Sequence, residues 1–207
     1  IIDYNANYLK VFNSVFRHSQ FTGLVDATDS SILSNIVTVV MSSLYPPNTA
    51  GSYSFTVNFG NPLYNPHSGH NASAGGVIAS TGFYISGETN EMFFDDDGDG
   101  NLRIYYLVSG VRTYYSTAAG TVNYVTGLVS ANPVHITSVS NVDGSASTVI
   151  RMTATPNSTD IAGKRNQILE IDTLNTTVVA GQDTIAVAGS GAATYTTTST
   201  YVAPSSY

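Results

Sequence analysis

The sequence predicts a mainly β fold, an antiparallel β-sandwich or meander preceded by a short N-terminal helical segment. Three observations carry this. Thr, Val, Ile and Tyr, the residues that suit pleated and half-buried backbone, are abundant, and Tyr (14) outnumbers Phe (8). Residues 52–60, SYSFTVNFG, alternate Tyr53, Phe55, Val57 and Phe59 with small polar residues, the period-2 pattern of a strand with one buried face. From residue 77 onward, strand-like stretches recur about every 8–12 residues, each ended by Gly, Asn or Asp, a rhythm that favours antiparallel connections over βαβ units.

Taken in order, NANYLKVFNSVFR (5–17) sets Leu9, Phe12 and Phe16 at helical spacing with Val11 and Val15 beside them. It predicts an amphipathic helix of about three turns with Asn5 as its cap. The next stretch, SQFTGLVDATDSS, reads as a short helix or turn. ILSNIVTVVMSSLY (32–45) is β-branched and stops at Pro46-Pro47, so it reads as a strand. NPLYNPHSGHNASAGG reads as a long exposed loop. VIASTGFYI, NEMFFDD, NLRIYYLV, VRTYYST, TVNYVTGLVSA, VHITSVS and TVIRMTATP follow as strands, with Thr126-Gly127 at a hairpin turn. A last strand is expected at NQILEIDT. The expected division is residues 1–50 as a helix-plus-strand piece of a preceding domain, 51–188 as the antiparallel β domain, and 189–207 as an extended Ser/Thr/Tyr-rich arm. The opening IIDYNANYLK, without initiator Met or leader, reads as a piece of a longer protein.

Composition narrows the function. The 207 residues are 42% hydrophobic, 10% charged and carry a formal net charge of −7. That balance, without a Lys/Arg cluster, argues against nucleic-acid binding. No apolar run reaches the roughly 18 residues of a membrane span. The absence of Cys removes disulfide, thiolate and Cys-zinc chemistry. No G-x-S-x-G elbow, P-loop or dinucleotide fingerprint occurs. Glycoside hydrolysis would need Glu88, Glu91 or Glu170 brought beside an aspartate by the fold.

One stretch imitates a metal site. In FFDDDGDGN (93–101), Asp95, Asp97 and Asp99 take positions 1, 3 and 5 of an EF-hand loop and Gly100 position 6, yet position 12 is Tyr106 and the flanks read as strands. The stretch therefore reads as a hairpin tip between Phe94 and Leu102, with those three aspartates as weak metal candidates. Four crowded carboxylates are expected to be exposed, or to face a cation or a basic patch on a neighbour. His67 and His70 read as loop histidines, because no Asp or Glu lies within ten residues to complete a site. Lys164 and Arg165, adjacent in a chain with seven basic residues, are interface candidates, as are the tail tyrosines Tyr195, Tyr201 and Tyr207.

Four stretches in succession, FRHSQFTGLVDATDSSILSNIVTVVM (16–41), STGFYISGETNEMFFDDDGDGNLRIYYL (80–107), GTVNYVTGLVS (120–130) and DIAGKRNQILEID (160–172), resemble the C-terminal region of the baseplate wedge proteins of contractile-tailed bacteriophages, the large wedge subunit of the baseplate-J-like family. The resemblance implies a structural, oligomeric virion protein with no active site and no cofactor. It implies assembly in the host cytoplasm and residence in the tail baseplate. The implied partners are other wedge subunits and a second copy of the chain, joined around the tail hub and rearranged when the sheath contracts. Residues 190–207 are then expected to lie along an adjacent subunit. The rival expectation is a carbohydrate-binding or adhesin-like β-sandwich of a tail fibre or surface protein.

Overall fold

The computed structural model describes residues 1–142, 145–164 and 167–181. It is mainly β, and every strand pair is antiparallel. In chain order the elements are α1 (Ile2–Tyr4) running into a π-helical turn (Asn5–Leu9), β1 (Val15–Phe16), α2 (His18–Asp26), β2 (Met41–Tyr45), β3 (Tyr53–Asn58), a 3-10 turn (Ala72–Ala74), β4 (Ile78–Ser80), β5 (Phe83–Ile85), β6 (Met92–Asp96), β7 (Asn101–Val108), β8 (Val111–Asn123), β9 (Leu128–Val134), β10 (Ile136–Val139), β11 (Ile150–Ala154) and β12 (Ile161–Ala162).

Eight strands form one path in the order β2-β11-β4-β6-β7-β8-β9-β3, with β5 and β10 attached through β6. The path returns on itself, because Tyr45 of one end strand stacks on Phe55 of the other at 4.0 Å between ring centroids. The sheet thus wraps a single core in which Phe83, Met92, Phe94, Leu102, Ile150 and Met152 are fully buried. Phe94 sits at its middle, stacked on Phe83 at 4.5 Å and met edge-on by Phe55 at 5.7 Å.

The N-terminal segment corrects the three-turn helix. Helical backbone ends at Leu9, Asn13 takes φ 59°, and the Ser14 hydroxyl donates to the Leu9 carbonyl. Asn-Ser and the β-branched valines favour this reversal over another helical turn. Leu9 and Phe16 are buried, whereas Phe12 is left 70% exposed. Asn5 is no cap either. Its side chain takes the N–H of Ile171 and donates to the Ile171 carbonyl, both at 2.8 Å. NQILEIDT accordingly forms no strand over its described residues; β1 pairs with β12 instead, Phe16 opposite Ile161. The helix expected as an option over SQFTGLVD is present as α2.

Of residues 32–45, only β2 finds a partner, β11, over its whole length. The expected strand at 77–85 divides at Thr81-Gly82 into β4 and β5; a Cβ on Gly82 would lie 1.9 Å from a Glu91 oxygen. VRTYYST and the start of TVNYVTGLVSA fuse into the thirteen-residue β8. Gly120 within it is a place of close approach, where a Cβ would lie 2.1 Å from the Ser130 carbonyl oxygen. The hairpin at Thr126-Gly127 is as expected, with Gly127 at φ 69°.

Candidate functional site

The aspartate-rich stretch forms the tip and one arm of the β6–β7 hairpin, in which Phe94 opposes Ile104 and Asp96 opposes Leu102. The expectation of exposure fails for two of its carboxylates. Asp95 is 1% exposed and Asp96 0%. They leave β6 on opposite faces, as successive strand residues must.

Asp96 shares the core parity of Met92 and Phe94. One of its oxygens accepts the N–H groups of Val77 (2.7 Å) and Ile78 (2.6 Å); the other accepts the Gly98 N–H (3.2 Å) and the Tyr124 hydroxyl (2.6 Å). Four donors replace the water a buried carboxylate loses. Tyr124 is held well above the ordinary phenol range by its burial and then by this adjacent carboxylate.

Asp95 lies on the outer face, directly across the hairpin from Arg103, whose Nε donates to it at 2.8 Å. Arg112 Nη1 (2.9 Å) and the Tyr114 hydroxyl (3.2 Å) donate to its second oxygen. Arg103 lies over the Tyr114 ring at 4.3 Å and Arg112 over the Tyr105 ring at 4.6 Å, so each guanidinium meets an aromatic face. Arg103 Nη2 also donates to the carbonyls of Ala72 and Asp96, tying the loop before β4 over this face. Burial raises the Asp95 carboxyl, opposed by the Arg103 hydrogen bond and by the charges of both arginines.

The remaining two aspartates shape the tip. Asp97 accepts the N–H groups of Asp99 and Asn101 and the Asn101 side-chain amide. Asp99 accepts the Ser68 hydroxyl from the covering loop. Asp95, Asp97 and Asp99 are therefore committed to three separate partner sets. Among the described residues no three His, Cys, Asp or Glu side chains gather as metal ligands. His67 and His70 contact each other, ring centroids 5.0 Å apart, and His70 packs against Tyr64.

Three outcomes follow, two of them at the tip. Gly98 has φ 77°, and a Cβ there would lie 2.5 Å from the His70 nitrogen. Gly98→Ala should cost about 2–3 kcal/mol in denaturant unfolding, from left-handed backbone plus a clash with backbone atoms. Gly87→Ala, at φ 86° with open space around it, should cost about 1 kcal/mol. At Asp97, burial raises the carboxyl, but the Asn101 amide and the N–H groups of Asn101 and Asp99 outweigh it and hold it below the ordinary 3.8. A lowered folded-state pKa stabilises above the unfolded value, and that contribution is lost as pH falls through the folded one. Asp97→Asn should flatten this acid limb in unfolding measured across about pH 2–5.

The other sequence candidates are scattered. Lys164 is exposed, its side chain running along Gly60, while Arg165, Tyr195, Tyr201 and Tyr207 lie outside the described residues. Glu88 and Glu91 are exposed, and Glu170 forms a surface pair with Lys10 at 2.9 Å. What the sequence reading missed is the Arg103–Asp95–Arg112 cluster and the exposed apolar side chains of the N-terminal segment, among them Phe12, Leu33, Ile36, Val40 and Leu44.

Residues 1–43 match the family model described as baseplate structural protein gp6, C-terminal domain III. No curated protein sequence matches the chain. The match supports a structural role in a phage baseplate, with a location in the virion tail and association with other baseplate components.

Proposed function

We propose that the chain is a baseplate wedge subunit of a contractile-tailed phage, joining neighbouring wedges around the tail hub and taking part in the rearrangement that triggers sheath contraction. The observation that carries this reading is the match of residues 1–43 to a baseplate structural domain. The same region is where apolar surface is left open. From Asn35 to Tyr45 the chain alternates outward and inward positions, and the outward row runs Ile36, Thr38, Val40, Ser42, Leu44, with Ile36 96% exposed. Such a row has the character of an assembly contact and not of a free surface. Residues 1–50 as the end of a preceding domain belong to this proposal; the arm expected at 189–207 lies outside the described residues.

The test uses particles assembled in cells. Ile36→Glu with Val40→Glu should leave the melting temperature of the isolated chain unchanged, because both side chains face solvent. The doubly substituted protein should be missing from purified tails, with baseplate rings left open in electron micrographs. Contractile particles carrying normal amounts of the variant would overturn the reading.

A further inference from the structure

Arg103 and Arg112, the two partners of Asp95, line an open cavity of about 650 Å³ at the β7–β8 turn, together with Ser73, Val111 and Tyr114. Its charges do not balance. Two guanidiniums reach one carboxylate, and both oxygens of Asp95 are already used. Asp96, the next carboxylate along the strand, is turned to the opposite face and saturated by its own four donors. Arg103 Nη1 and both Nε and Nη2 of Arg112 donate to no group among the described residues. The Arg103 side chain is only 10% exposed and that of Arg112 31%. Both side chains line the open cavity, and each guanidinium lies over a tyrosine ring.

We propose that this cavity receives the side-chain carboxylate of an aspartate or glutamate from a partner protein. A planar guanidinium presents paired donors that match a carboxylate, and one further negative charge brings the outer face to two against two. A polyanion is disfavoured, because the chain as a whole carries −7 and repels extended phosphate backbones. This inference stands apart from the baseplate reading and does not depend on it.

The probe is N-acetyl-glutamate N-methylamide, which carries a single side-chain carboxylate, titrated into the whole chain while the arginine Nε–H signals are followed by NMR. The Arg112 signal should shift saturably with a midpoint of about 1–10 mM, as suits one charge-assisted contact. The glutamine analogue should leave it unmoved. Arg112→Gln should abolish the binding, read from the Arg103 signal. Val111→Trp, which fills the mouth and keeps both arginines, should weaken binding at least tenfold, so the outcome does not hang on one variant's folding. No saturable shift up to about 50 mM would overturn the proposal. So would equal shifts with the glutamine analogue, undiminished binding to Val111→Trp, or inorganic phosphate binding tenfold more tightly, which would make this a phosphate site.

Discussion

Asp96→Ala should lower the stability of the folded chain by about 3–5 kcal/mol in urea or guanidinium unfolding. The side chain is fully buried and binds three backbone N–H groups and one phenol. Alanine leaves those donors without their acceptor, and each unsatisfied buried donor costs about 1–3 kcal/mol. It also cuts the link between three elements: the entry to β4, the hairpin tip, and Tyr124 beyond β8. With domain stabilities of about 5–15 kcal/mol, a loss of this size takes a large share of the total. Asp96→Asn should cost less, about 1–3 kcal/mol, since its carbonyl oxygen still accepts from Val77 and Ile78 while its amide can donate to Tyr124. Tyr124→Phe, which removes one donor and leaves the other three, should cost about 1–2 kcal/mol. The ordering Ala > Asn > Phe is the check. An Asp96→Ala loss no larger than that of Tyr124→Phe would mean the carboxylate is not the anchor.

Much of this site was legible in the sequence, and more than was read from it. Once 97–100 is taken as a hairpin tip, pairing Asp96 with Leu102 forces Asp95 opposite Arg103, an opposite-charge cross-strand pair. The period of two likewise puts Asp96 on the side of Met92 and Phe94, where a charge must find donors or neutralise. Those donors were out of reach of pattern, because Tyr124, Val77 and Arg112 come from elements whose placement depends on the whole sheet. The same limit explains residues 32–45. Alternation marks extended backbone throughout, but a pattern does not say which part finds a partner, and only Met41–Tyr45 does. Glycine misleads in two opposite ways: the pattern runs a strand through Gly82, where one ends, and a break through Gly120, which lies within β8. Gly82 and Gly120 stand where other groups crowd the backbone, and only Gly82 also breaks a strand. Phe12 misled differently: its spacing from Leu9 and Phe16 is helical, yet Asn13 and Ser14 end the helix locally and turn the ring outward.

Arg103→Met should cost about 3–5 kcal/mol on its own, and removing Asp95 as well should restore part of that loss. The single change leaves Asp95 almost fully buried with Arg112 and Tyr114 alone, and frees the carbonyls of Ala72 and Asp96 from their shared donor. In Asp95→Leu/Arg103→Met the buried charge is gone, the two apolar side chains can pack across the same cross-strand pair, and Arg112 can turn towards the open cavity. The double variant should therefore be more stable than Arg103→Met, with a coupling energy of about 1–3 kcal/mol in a double-mutant cycle. Salt separates this cluster from an ordinary surface pair. Raising NaCl to about 1 M should barely change the coupling of Asp95 with Arg103, because screening acts weakly on buried charges, but should erase any coupling of Lys10 with Glu170, both half-exposed. A coupling of Asp95 with Arg103 that vanished in salt would place the pair in solvent and remove the basis for a positively biased cavity beside it. If the coupling persists while Arg112 stays dispensable for stability, Arg103 holds the hairpin together and Arg112 is left free to meet a ligand.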